Sequence, residues 1–169
     1  MRDAGKRHPL SHLRARPMTA PEAALVATWH YDGEWSVYDL DSPQPLLDGL
    51  ADYHSVFAGE RLIGFCCTGS AARIPGMTEE PGTLDVGMGM DPTQVGRGYG
   101  AAFGEAVLGY LFLRYPGQTL RAVVQEWNER SLRLTRRLGF VDTGEATVLQ
   151  RGEPVTYRVV IKGANSDTN

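Results

Sequence analysis

Three glycines at alternate positions, Gly96, Gly98 and Gly100, stand where a strand-like run ending at Met90 gives way to a helix-like run over 98–114. This segment, MDPTQVGRGYGA over residues 90–101, constrains the chain more than any other. Glycine permits tight turns and lets backbone N–H groups approach a ligand, and a helix N-terminus adds unpaired donors and a positive dipole end. Together they make an anion cradle suited to phosphate or pyrophosphate. A plain glycine-rich connection is the competing reading. Gly96, Gly98 and Ala101 also fit the dinucleotide fingerprint G-x-G-x-x-G/A, with Glu126 ending the next strand. That reading fails because Asp91-Pro92-Thr93-Gln94 separates strand from loop, and because the chain offers one βαβ unit where several are needed. No Gly-Lys-Ser/Thr closes a P-loop.

The rest of the chain reads as a single mixed α/β domain over residues 12–163, with poorly ordered tails at 1–11 and 164–169. Strands are expected at 12–18, 55–58, 61–68, 83–90, 119–126, 140–150 and 154–162. Four helices are expected, at 19–29, 45–52, 98–114 and 128–138. Thr19 and Glu22 have capping-box spacing, with Pro21 harmless in the first turn. The order predicts an antiparallel front half, then one βαβ unit that carries the glycine loop, in a sheet of six to seven strands.

Composition excludes several classes. Among 169 residues, 17 Lys+Arg face 20 Asp+Glu, for a formal net charge of -3. No basic excess draws the chain to nucleic acid or an anionic membrane. No apolar run approaches the roughly 18 residues of a transmembrane helix, and no apolar segment follows the basic N-terminus as in a secretory signal. A cytoplasmic location is the expectation. Cys66 and Cys67, the two cysteines, are neighbours on one strand and point to opposite faces, so a bridge between them would be strained. No metal framework is visible, and His54 reads as structural.

The motifs resemble those of the GCN5-related N-acetyltransferase (GNAT) superfamily. Its acetyl-CoA signature is a strand, a short proline-containing segment, and Q/R-x-x-G-x-G/A at a helix start. Here Met90-Asp91-Pro92 precedes Val95-Gly96-Arg97-Gly98-Tyr99-Gly100. Downstream, Asn128-Glu129-Arg130-Ser131, Leu134 and Arg137-Leu138-Gly139-Phe140 are similar to the family's N-x-x-S/A…K/R-x-G-F element. The pattern looks like the ribosomal-protein alanine and aminoglycoside acetyltransferase branches. Two departures stand out. Val95 occupies the Q/R position with Gln94 displaced by one, and Thr135 stands where many members carry a general-acid tyrosine.

The resemblance implies a GNAT fold, acetyl-CoA as cosubstrate, no metal, and a small-molecule or peptide N-terminal amine as acceptor; a homodimer is compatible with it. It implies cofactor contacts at Met88, Met90, Val95, Gly96, Arg97, Gly98, Tyr99, Gly100, Asn128 and Ser131, with a strand bulge presenting the Met90 N–H to the acetyl carbonyl.

Acyl transfer to an amine requires deprotonation of the amine, stabilisation of the thioester oxygen, and orientation of both reactants. For the base, Asp85 is the first candidate, since strand alternation puts it on one face with Gly87 and Gly89; an exposed strand aspartate is the plain alternative, and Glu126 the competitor. Ser131 or Thr135 could donate a proton weakly to the leaving thiolate. Asn128 reads equally as an N-cap. Arg130, Arg133, Arg136 and Arg137 read as a solvated helix face, with Arg97 better placed for phosphate. Tyr31, Trp35 and Tyr38 fall in the acceptor-loop position and could wall an amine pocket, or simply pack. A CoA-binding module without transferase activity is the alternative function.

Overall fold

A computed structural model describes residues 12–164. The tails expected at 1–11 and 164–169 lie, apart from Ala164, outside the described residues. The elements run β1 (Leu13–Pro17), α1 (Ala20–Val26), α2 (Gln44–Asp48), β2 (Tyr53–Ala58), β3 (Arg61–Thr68), β4 (Thr83–Met90), α3 (Gly100–Arg114), β5 (Thr119–Gln125), α4 (Glu129–Arg137), β6 (Val141–Gln150) and β7 (Glu153–Lys162). The seven strands form one sheet in the order β1-β2-β3-β4-β5-β7-β6. Only the β4–β5 pairing is parallel. This is the mixed, mostly antiparallel sheet with one βαβ unit that the sequence predicts.

The sheet is covered on both faces. Alternation along β2 sends Val56 to one side and Phe57 to the other. Val56, Ile63, Cys66, Val86 and Leu120 pack with Phe103, Val107 and Leu111 of α3. Phe57 and Leu62 pack with Ala23 and Val26 of α1 and Leu46 of α2. These layers leave the middle of the sheet as the place where two strands can part without exposing the core.

Local chemistry explains where boundaries differ from expectation. The first helix ends at Val26 rather than Trp29, because the Thr28 hydroxyl donates to the Leu25 carbonyl at 2.6 Å and the last turn tightens. Its start is as read: the Thr19 N–H donates to Glu22 Oε1 at 3.0 Å. The second helix breaks at Gly49 into α2 and a 3₁₀ turn over Leu50–Asp52. The aromatic segment is a 3₁₀ helix over Gly33–Tyr38, entered through Gly33 at φ +59°.

The bulge expected in β4 is absent. Pairing with β3 runs without shift from Gly64↔Met90 to Thr68↔Val86. The glycines of β4 have a packing reason instead. A Cβ on Gly89 would stand 2.5 Å from the Phe65 ring directly opposite, and one on Gly87 would stand 3.0 Å from Cys67 Sγ. β4 is therefore thinned to admit Phe65.

His54 is structural, as read. It is 1% exposed in β2, its Nδ1 lies 2.8 Å from the Tyr110 hydroxyl, and its Nε2 has no hydrogen-bond partner among the described residues. Burial, then the Arg114 charge, lower its pKa. A lowered imidazole pKa means the unfolded chain binds the extra proton first, so stability falls as pH drops below about 6.5. We expect melting temperature to decline from pH 7.5 to 5.5, and the decline to shrink in His54→Gln, measured by thermal scans across that range.

Candidate active site

β4 and β5 pair only over three positions, Thr83↔Thr119, Leu84↔Leu120 and Asp85↔Arg121. Beyond Asp85 the strands part and the sheet forks. Backbone parity fixes what β4 offers to the fork. The Asp91 N–H donates to Ile63 of β3 at 2.8 Å, so Gly89 also faces β3, while Met88 and Met90 face the opening. The Met90 carbonyl confirms the direction by accepting the Tyr31 hydroxyl at 2.6 Å. Backbone N–H groups of Met88 and Met90 are thus turned into the fork by strand separation, with no bulge required.

A cleft of about 730 Å³ passes through this fork. On one side lies the glycine loop. Gly96 and Gly98 have φ of +77° and +81°, so the loop needs residues without a Cβ at both positions. The first bond within α3 runs from the Phe103 N–H to the Tyr99 carbonyl, leaving the earlier amides of that helix unpaired by it. Gln94, Val95, Gly96, Gly98, Gly100 and Ala101 line this side. Arg97 and Tyr99 do not. Arg97 is exposed, and the Tyr99 side chain packs on the core beside α3, so contact of these two residues with the cofactor is left to their backbone amides.

The arginines of α4 are exposed, as read, and three of them, Arg130, Arg133 and Arg137, also line the cleft. Their i, i+3, i+7 spacing puts them on one stripe, and an Arg130 Nη2 stands 3.9 Å from where a Gly96 Cβ would be. That spacing was the available signal. What it could not give was the direction of the stripe, which follows from how α4 packs beside the start of α3. Among the described residues no Asp or Glu lines the cleft, so their charge at this end is net positive.

The opposite side is aromatic, and a strap over residues 31–38 roofs it. Tyr31 ties the strap to β4 through Met90, and Asn128 ties it to α4. Asn128 is buried, and its N-cap reading holds. Its Oδ1 accepts the Ser131 N–H at 3.2 Å as an N-cap and the Trp35 Nε1–H at 3.4 Å, while its Nδ2 donates to the Tyr38 hydroxyl at 3.0 Å. Trp127 stacks behind the strap, 5.8 Å from Trp35 and 6.2 Å from Tyr38 between ring centroids, and Arg130 sits 4.6 Å over the Trp35 ring. Trp127 carried no motif and was not foreseen. Burial, with the carboxylates of Asp91 and Asp39, pushes the Tyr31 phenol well above its ordinary pKa, so it remains a donor. Asn128→Ala should lose the cap and both strap contacts, for about 1 kcal/mol of stability; Asn128→Asp, which keeps the accepting oxygen and loses the donor to Tyr38, should recover most of it, as read by urea unfolding.

Asp85 is not available as a base. Its side chain is 2% exposed and is gripped by Arg121, with Nε at 2.6 Å and Nη2 at 3.1 Å, and by Arg73 at 3.0 Å. It lies on the last paired rung before the fork and does not line the cleft. Glu126 is exposed and also outside it. Thr135 donates to the Leu132 carbonyl at 2.8 Å, which leaves Ser131 as the α4 hydroxyl lining the cleft. Cys66 stands opposite His54 in the β2–β3 register. Neither lines the cleft, and burial pushes both the Cys66 and Cys67 thiols up to about 12.

A forked sheet, a glycine-rich helix start and a cationic cleft define an acyltransferase that handles a CoA thioester. The chain belongs to the GNAT acetyltransferase family: the acetyltransferase (GNAT) domain matches residues 12–141. It is an acetyl-CoA-dependent N-acetyltransferase by that membership. The fold is similar to a GNAT-family acetyltransferase from Bacillus anthracis, with TM-score 0.72 and 16% identity over 90% of this chain and 95% of that one. It is also similar to the ribosomal-protein-S5-alanine acetyltransferase of Vibrio fischeri, with TM-score 0.64 and 18% identity over 94% and 96%. A third similar structure, from Salmonella typhimurium with its cofactor acetyl-CoA, has TM-score 0.63 and 15% identity over 93% and 96%. No curated protein sequence matches this chain. Among the described residues no group of three or more His, Cys, Asp or Glu could hold a metal ion, and no helix is long and apolar enough to cross a membrane.

Proposed function

We propose that this protein moves an acetyl group from acetyl-CoA onto a primary amine by direct attack. The observation that carries the reading is one continuous cleft through the fork, cationic at the glycine loop and aromatic beyond it. The chain's own groups fit the cofactor. Amides from Gly96 to Ala101 and the side chains of Arg130, Arg133 and Arg137 hold the diphosphate. The Met88 N–H holds the pantetheine arm, and the Met90 N–H meets the acetyl oxygen where charge develops. When bound, acetyl-CoA supplies an acetyl group activated as a thioester.

Ser131 is the α4 hydroxyl placed to return a proton to the departing sulfur. Tyr31 keeps β4 in place through Met90, while Trp35 and Tyr38 close the acceptor chamber. Direct transfer is favoured because both thiols are buried and held protonated far above neutral pH. The two free, buried cysteines also suit a reducing cytoplasm.

The test is thiol release from acetyl-CoA with an amine panel, with products weighed by mass spectrometry. Stoichiometric CoA and N-acetylated amine support the proposal, and Cys66→Ala/Cys67→Ala should retain turnover if folded. Acetyl trapped on either thiol overturns direct transfer. Tight CoA binding with no acetylated product from any amine would instead make the chain a CoA-binding module.

A further inference from the structure

The acceptor side of the cleft has a chemistry of its own. Trp29, Tyr53, Phe65, Leu40, Leu46 and Val26 form it, under the strap of Tyr31, Trp35 and Tyr38. Among the described residues the charged ones lining the cleft are three arginines, and no Asp, Glu, His or Lys lines it. Two things a cationic acceptor would need are therefore missing from the wall: a carboxylate to pair an ammonium, and a group that titrates near neutrality to take its proton.

The nearest carboxylates are turned to other partners. Asp39 accepts the Tyr31 N–H at 2.8 Å and lies 3.2 Å from His30. Asp91 accepts the Thr93 N–H and hydroxyl at 2.9 and 2.8 Å, with Arg61 at 3.8 Å. Their field reaches the Tyr31 phenol, but neither lines the chamber. An aromatic cage could hold a cation through its ring faces. Here the Trp35 ring already carries Arg130, and the Tyr31 and Tyr38 hydroxyls are engaged by Met90 and Asn128. A primary ammonium would bring three N–H donors into a chamber that offers them neutral oxygens and no carboxylate among the described residues.

We propose, resting on the acetyltransferase reading above, that the acceptor is a weakly basic amine on a flat apolar frame, an arylamine, which enters neutral and needs no base. The lone pair of R–NH₂ attacks the thioester carbonyl carbon, and the C–S bond breaks with its electron pair leaving on sulfur. The nitrogen gives a proton to water and the thiolate recovers one. The products are R–NH–COCH₃ and CoA-SH. Aromatic walls supply stacking and dispersion over a ring, and a neutral nucleophile removes the proton problem that Asp85 is not placed to solve. Polyamines and aminoglycosides, which carry several ammonium groups at neutral pH, are the acceptors this chamber disfavours.

A matched pair tests the class. 4-Ethylaniline and 2-phenylethylamine are alike in size and apolarity and differ in basicity; spermidine and kanamycin add the polycations. Acetylated product is quantified by mass spectrometry with acetyl-CoA saturating. At pH 7 the aniline should be at least about tenfold better in kcat/KM than phenylethylamine, the gap narrowing towards pH 9 as phenylethylamine deprotonates, and the polycations should be poorest. Trp29→Ala should raise the KM for the aniline at least about fivefold while leaving the acetyl-CoA KM unchanged. Spermidine or kanamycin acetylated as well as the aniline, or phenylethylamine equal to it at pH 7, overturns the acceptor class and leaves acetyl transfer standing. Acetylation of no amine overturns the transferase reading and this proposal with it.

Discussion

Asp85→Ala should lower the free energy of unfolding by about 3–5 kcal/mol, the cost of breaking a buried ion pair from one side. The carboxylate is 2% exposed, against 13% for Arg121 and 20% for Arg73, so the loss strands two cations that water reaches poorly. Arg121 also donates to the Thr78 carbonyl at 2.8 Å and pairs with Glu80 at 3.1 Å, so the same guanidinium holds the loop before β4. Its hydrogen bonds to Asp85 raise its pKa, and it stays charged when that partner is gone. Asp85→Asn should cost less, because the amide oxygen can still accept. Urea unfolding with linear extrapolation measures both. Because Asp85 lies on the rung where β4 and β5 part, any loss of activity in a folded Asp85→Asn protein should leave the shape of the pH–rate profile unchanged. A flattened profile at wild-type stability would return Asp85 to the role of base.

Gly98→Val should raise the acetyl-CoA KM at least about tenfold, a loss of roughly 1.4 kcal/mol. No atom stands within 4 Å of where a Cβ would sit, so a clash inside the protein is not the cause. The backbone is: φ is +81°, a region that a β-branched residue resists. Valine would turn the loop out of that conformation and swing the amides that face the cofactor, while the surface position spares the core. Global stability should therefore fall less than affinity, and a calorimetric titration with CoA would separate the two. A folded Gly98→Val protein that binds CoA as well as wild type would move the cradle elsewhere. Arg97→Ala, at an exposed side chain outside the cleft, should change little.

Much of the fold was legible because its signals are local. Hydrophobic alternation, the Gly59-Glu60 turn, the Thr19–Glu22 cap and the 98–114 periodicity depend on near neighbours, and the strands that follow from them pair as the element order suggests. The glycine loop was legible for the same reason: positive φ at Gly96 and Gly98 is a demand that one residue type meets. Strand alternation likewise put Asp85 on the face of Gly87 and Gly89, and that was correct as far as periodicity reaches.

What periodicity does not carry is who arrives on that face. Arg73 comes from the loop before β4 and Arg121 from β5, and together they turn a candidate base into a fastening at the fork. Asn128 is the N-cap that its position suggests, but the aromatic strap that crosses from β4 to α4 also engages its side chain, which position could not show. The arginines of α4 share a stripe in any helix, but only the packing of α4 beside the start of α3 turned that stripe into the cleft. The sequence by itself determined the element types, the glycine loop and the family; the tertiary structure decided which charges are neutralised, which face the cleft, and that no carboxylate of the described residues lines it. The reason is physical: backbone preference acts over a few residues, whereas burial and electrostatic pairing depend on partners brought together from distant parts of the chain.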